Sequence, residues 1–330
     1  MATVQRNSSI EILRVFFMIL ILVIHVYYHG SGQGFELVYS LGKRLTTAWN
    51  LSLFNVGMLG VTGFMFISGY FGIRTNRKNL LRILGFPFFY ALILGIIFKH
   101  CSLRDIFYLL FAFNGWWFVS CYLFIMLLAP FIEGSIKKTS ERNFFWLLMG
   151  MFVYTYLMRF LSKDNSHDII FLLSVYMGGC YMRLFPRSGF ARMARKIGGG
   201  SIFALILIPV LMAQIKWQSD KFLAYFIQNN NILLFIVSYW LVYQCEHHVS
   251  YNKYINNLAK GTLSIYLITD YPNVRNVITP WLLPFLLKGY GLVLIVMISI
   301  VILFIDLIRD RFFEWFYNKI KKLRNEYSYH

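Results

Sequence analysis

Apolar runs long enough to cross a bilayer recur along the whole of this 330-residue chain, separated by short stretches that hold most of its charge. A hydrocarbon core about 30 Å thick calls for about 20 apolar residues per helix. Lipid offers no partner to a backbone N–H or C=O, so a chain of this kind folds as a bundle of hydrogen-bonded helices. Composition agrees, with 58% hydrophobic and 14% charged residues, which is far from the balance of a soluble domain. Ten spans are predicted, at residues 11–28, 51–71, 83–99, 115–133, 144–160, 168–185, 200–216, 230–245, 262–284 and 289–308. Placing the N-terminus inside puts 21 of the 32 Lys and Arg residues in cytoplasmic segments and 10 outside, as the positive-inside rule requires. The net charge of +18 is therefore a topological signal and implies no nucleic-acid partner.

The expected architecture is an all-α polytopic membrane protein of about ten transmembrane helices, with both termini cytoplasmic. It forms a single domain over residues 1–330, lodged in the cell (plasma or inner) membrane. The first apolar run has no small-residue cleavage site after it and reads as a retained span. Residues 309–330 are basic and aromatic, and read as a cytoplasmic tail against anionic headgroups. Residues 103–114 are too short to span and are expected to lie at the outer interface or re-enter. The ninth span contains Pro272, Pro280 and Pro284, so a broken helix is expected there, tolerated where protein or a cavity surrounds it. Cys101, Cys121, Cys180 and Cys245 show neither metal nor redox spacing, and no metal is expected.

Within the first span, RNSSIEILRVFFMILILVIHVYYH, stand Arg14 and His25. Eleven residues make close to three full helical turns, so the two share one face about 16 Å apart. Ionisable groups at membrane depth are costly and usually serve a function. Alternatively, the Arg snorkels to the headgroups and the His is hydrogen-bonded in the bundle. Asp270, in GTLSIYLITDYPNVR, is a second buried or cavity-lining candidate beside the Pro272 break, with Arg275 close by. It could orient an imidazole, although the sequence does not place it against His25.

Two further patterns carry both a functional and a packing interpretation. Gly57, Gly60, Gly63, Ser68 and Gly69 would let a helix or a ligand approach the second span closely. Arg74, Arg77, Lys78 and Arg82 follow at once, either as positive-inside residues or as a seat for the phosphates of coenzyme A. Trp116 and Trp117 are placed at the outer interface, as an aromatic belt or as stacking faces for a sugar.

Four stretches taken in order resemble the acyltransferase-3 family of integral-membrane O-acyltransferases, of the envelope polysaccharide O-acetyltransferase type. They are LRVFFMILILVIHVY, with the family's Arg-x10-His as Arg14 and His25; GVTGFMFISGYF; GWWFVSCYLFIMLLAP; and GTLSIYLITDYPNVR. The resemblance implies transfer of an acetyl or other short acyl group from acyl-CoA, acetyl-CoA above all, to a hydroxyl of an envelope carbohydrate or lipid-linked glycan. It implies His25 as the catalytic histidine with Arg14 as its partner; Asp270 joins them as a catalytic candidate on its own intramembrane charge. Arg74, Arg77, Arg82, Ser68, Gly69 and Tyr70 would border the donor, and Trp116, Trp117 and Tyr266 the acceptor. Where many members have a second histidine, this chain has Thr269. The rival class is a transporter or flippase of an envelope glycan or lipid-linked sugar, which also needs intramembrane charge and a broken helix. Only one Pro-broken span is visible, whereas transporters often show a matching pair.

Overall fold

The structure, a computed structural model, describes residues 6–42, 44–73, 77–112, 115–161, 168–214 and 231–327. Among them every regular element is a helix. In chain order they are α1 (Ser8–Gly30), α2 (Phe35–Gly42), α3 (Ala48–Gly57), α4 (Leu59–Phe71), α5 (Arg77–Phe98), α6 (Leu103–Phe111), α7 (Trp117–Ile136) and α8 (Glu141–Leu161). There follow α9 (Asp168–Leu184), α10 (Gly189–Gln214), α11 (Ile232–His247), α12 (Lys253–Leu258), α13 (Thr262–Thr269), α14 (Pro272–Leu287) and α15 (Gly291–Tyr327). Among the described residues five stretches are long and apolar enough to cross a membrane: Ser8–Gly30, Ala48–Phe71, Trp117–Ile136, Gly189–Leu211 and Gly291–Trp315. Ile83–Phe98, Ile169–Leu184 and Ile232–His247 are shorter apolar helices. Residues 103–111 form the short α6, as their length requires.

α1 is the axis of the bundle, packed by α3, α4, α11, α13, α14 and α15. Its side chains are buried almost all round from Phe17 to Tyr27, the pattern of a helix with protein on every side. The glycines of α4 make this closeness possible. A Cβ on Gly60 would stand 2.5 Å from the Phe17 carbonyl oxygen, and the Phe17 ring occupies the space beside Gly63. On the opposite face Gly69 rests on the Tyr176 backbone of α9, and Gly179 answers with the Phe66 carbonyl 2.5 Å from where its Cβ would be. Small residues replace side-chain bulk with backbone contact, which is how helices associate where hydrophobic burial offers little drive.

The start of α1 is held by polar contacts. Asn7 caps it by accepting from Ser9 N and donates through Nδ2 to the Cys245 carbonyl at 2.8 Å. Ser8 Oγ donates to Asn256 Oδ1 at 2.8 Å. This ties α1 to the α11–α12 connection and sets the height of everything further along it.

The predicted break in the ninth span is present. α13 stops at Thr269, Tyr271 is extended (φ −62°, ψ 128°), and Pro272 opens α14. At that first helical position its missing N–H has no intrahelical partner to lose.

α15 runs unbroken for 37 residues, about 55 Å at a helix's ordinary rise, so residues 309–327 continue the helix of the last span. The first of these belong to the core. Arg309 and Asp310 are buried, because Arg309 grips Asp306 bidentately at 2.7 and 2.8 Å and lies 4.0 Å over the Phe86 ring. With charge and hydrogen bonds satisfied, the guanidinium can leave water.

Candidate active site

His25 is 7% exposed and Asp270 3%; they come from α1 and from the cap of α13. His25 Nδ1 lies 3.4 Å from Asp270 Oδ1. That is charge-pairing distance without hydrogen-bond alignment, so Nδ1 has no bonded partner. The same carboxylate oxygen accepts from Arg275 Nη1 at 3.2 Å. The helix break produces this geometry. It ends α13 with Asp270 turned toward α1, then starts α14 so that Arg275, one turn in, reaches back to the same oxygen. His29 stands edge-on to His25, ring centroids 5.6 Å apart, and Tyr266 lies at 5.7 Å. His29, one turn further along α1, is thus a neighbour of the pair.

Arg14 does not meet His25. It pairs with Glu11 at 3.5 Å, as Arg6 does at 3.6 Å, and its side chain is 28% exposed. It lines a cavity of about 210 Å³ at the N-terminal end of α1, shared with Arg6, Lys260 and Arg309 and walled by Phe86, Leu123 and Leu263. The cavity runs along α7 to Phe118, whose ring is 6.0 Å from Tyr266. Cations at one end, apolar walls and an aromatic layer next to His25 form one continuous arrangement.

Lys260 and Arg309 had no place in the expected site. Each was a basic residue beside a span, indistinguishable in the sequence from topological charge. The one available signal was Asp306, Arg309 and Asp310 at i, i+3 and i+4, which puts three charges on one helix face.

The remaining expected residues fall as follows. Arg74 lies outside the described residues; Arg77 and Arg82 belong to α5, and their side chains are likewise outside them. The SGY stretch is engaged by its neighbours. Gly69 is covered by α9, Ser68 donates to the Phe64 carbonyl at 3.1 Å, and the Tyr70 hydroxyl donates to Glu246 of α11. Trp116 is 0% exposed and edge-on to Tyr271 at 6.5 Å, so neither of its faces is open to a sugar. Trp117 is half-buried and packs edge-on to Phe118. Tyr266 is enclosed between His25 and Phe118. Among the described residues no group of His, Cys, Asp and Glu is placed to hold a metal ion.

A family model described as an acyltransferase domain matches residues 7–309, from the cap of α1 to the buried arginine of α15. No curated protein and no solved structure matches the chain.

Proposed function

The chain belongs to the acyltransferase-3 family, and from that premise we propose that it is a membrane O-acyltransferase of the cell envelope. It carries an acetyl or other short acyl group from acyl-CoA to a hydroxyl of a carbohydrate or lipid-linked glycan. It sits in the cell membrane with ten spans and both termini in the cytoplasm. The observation that carries this reading is the buried His25–Asp270 pair, 3.4 Å apart, linked through Tyr266 and Phe118 to a cavity lined by Arg6, Arg14, Lys260 and Arg309.

Asp270 orients Nδ1 of the imidazole as the protonated nitrogen and leaves Nε2 as the free base. The acceptor hydroxyl attacks the thioester carbonyl and passes its proton to Nε2. The tetrahedral intermediate collapses, the C–S bond breaks, and the departing thiolate takes the proton from the imidazolium. Ester and free coenzyme A result, with neutral His25 restored. Hydrogen bonds of this kind are often long before substrate binds and tighten in the complex.

Arg14, with Arg6 and Lys260, seats the donor phosphates, since these side chains keep 28%, 49% and 26% exposure. Arg309, 5% exposed and bidentate to Asp306, shapes the wall. A volume of about 210 Å³ is below the roughly 300–1,000 Å³ of whole-ligand pockets. It suits the pantetheine arm, with the nucleotide outside.

The test is transfer of labelled acetyl from acetyl-CoA to the envelope glycan fraction in membranes carrying wild type or His25→Ala. Label with wild type and a loss of at least about 100-fold in the variant, at equal amounts of folded protein, is the expected result. Equal turnover by both would remove His25 from the chemistry.

A further inference from the structure

A second cavity, of about 220 Å³, lies at the other end of the His25–Asp270 pair. It is lined by His100, Asp105, Tyr108, Tyr271 and Asn273 over an apolar floor of Ile106 and Leu109. Its place in the fold can be followed along two helices. On α5 the cationic cavity touches Ile83, Phe86 and Pro87, and the second touches Ala91 and, just past the helix end, His100. At the broken helix the first touches Ala259, Lys260, Thr262 and Leu263 and the second Tyr271, Pro272 and Asn273, with Asp270 between them in the chain. The catalytic pair is therefore flanked by two cavities at successive levels of the same bundle. The break serves both: it aims Asp270 at His25 and, in the next three residues, builds a wall of the second cavity.

The two linings differ in chemistry. The first presents Arg and Lys. The second has no Arg or Lys among its lining residues, but a carboxylate, a carboxamide, an imidazole and two phenols. An anionic ligand would meet Asp105 with no compensating cation. A neutral, hydroxyl-rich ligand would find acceptors for its O–H groups and aromatic or apolar surface for its C–H faces. Two of the lining residues have neighbours of their own. Tyr271 is buried and stacked on Phe98 at 5.5 Å, and Asp105 is held by Ser102 Oγ at 2.6 Å at the start of α6.

We propose that this second cavity is the acceptor subsite, that it takes the sugar carrying the reactive hydroxyl, and that Asp105 and Asn273 are its recognition residues. This rests on the acyltransferase reading and adds where the second substrate enters. Donor and acceptor approach His25 from opposite ends of the bundle.

The test uses the full-length protein in membranes, acetyl-CoA as donor and the glycan fraction of the expressing cells as acceptor. Asp105→Asn and Asn273→Ala are expected to raise the apparent KM for glycan by about tenfold each and to leave the KM for acetyl-CoA unchanged. Arg104→Ala, on the same helix turn but outside the cavity, is expected to match wild type. Cys101, the exposed cysteine next to His100, supplies a binding readout independent of turnover. Its alkylation by a maleimide should be slowed by glycan and not by acetyl-CoA. Unchanged glycan KM in both variants, or protection of Cys101 by acetyl-CoA alone, overturns the assignment. If wild type transfers no label and glycan still protects Cys101, the subsite stands and the enzymatic reading fails. If wild type transfers label and glycan does not protect, the subsite fails and the enzyme stands.

Discussion

The His25 imidazole and the Asp270 carboxylate, from opposite ends of the chain, lie 3.4 Å apart inside the bundle, and Arg275 holds the same oxygen at 3.2 Å. The carboxylate has a permanent cation as well as an imidazole beside it. Its charge is balanced by Arg275 while His25 is neutral, so the pair can be buried with no bare charge.

Asp270→Asn should therefore do two separable things. Activity should fall by about 100-fold or more, as the base loses the group that orients it. Stability should also fall, by an order of 3 kcal/mol, because Arg275 is left as an unpaired and largely buried cation. Adding Arg275→Gln should return most of the stability and none of the activity. A thermal melt in detergent beside the acetyl-transfer rate reads both. Recovery of activity in the double variant would mean that Asp270 acts only through packing.

Arg14 stands some three turns from His25 and faces the cationic cavity, so its loss should weaken donor binding. Arg14→Ala is expected to raise the KM for acetyl-CoA about tenfold to 100-fold, the size of a lost charge-assisted hydrogen bond, with kcat changed little. Lys260→Ala should move the same parameter. A fall in kcat at unchanged KM would instead place Arg14 in the transition state.

Gly60→Ala should be costly although the change is one methyl group, because that methyl would meet the Phe17 carbonyl oxygen at 2.5 Å and Ile21 Cγ1 at 2.9 Å. A loss of about 1–3 kcal/mol is expected from such overpacking. Gly150→Ala, in α8 with nothing within 4 Å of the added carbon, should be neutral or gain up to about 1 kcal/mol from helix propensity. Melting temperatures of the two variants make the comparison. Equal shifts would argue against a close α1–α4 contact.

Cys101 is exposed, Cys121 and Cys180 are buried, and Cys245 is intermediate. The proposed topology puts Cys101 outside, so a membrane-impermeant maleimide added to intact cells should label it. Cys101→Ser should abolish the label. Labelling only after permeabilisation would reverse the orientation of the bundle.

Much of this protein could be derived from the sequence alone, because the bilayer leaves few choices. An apolar run of 20 residues in lipid has to be helical, so the helices of the bundle, the short α6 and the break at Pro272 follow from composition and spacing. So does the suspicion that falls on Arg14, His25 and Asp270, since charge at membrane depth has to be accounted for. Partnership between helices could not be derived. A helix face in a membrane is apolar whether it meets lipid or protein, so periodicity does not say that α13 and α14 cross α1 at His25. For the same reason the sequence assigned Arg14 and His25 to one site, on the strength of a shared face, while the fold separates them, Arg14 at a cationic cavity and His25 beside Asp270. Trp116 looked like a belt residue and is buried, and Arg309 looked like tail charge and is a cavity wall. Gly69, equally suited to a ligand or a neighbour, was claimed by α9. Each of these outcomes depends on which backbone comes within contact distance of which, and that is decided by packing between segments far apart in the chain.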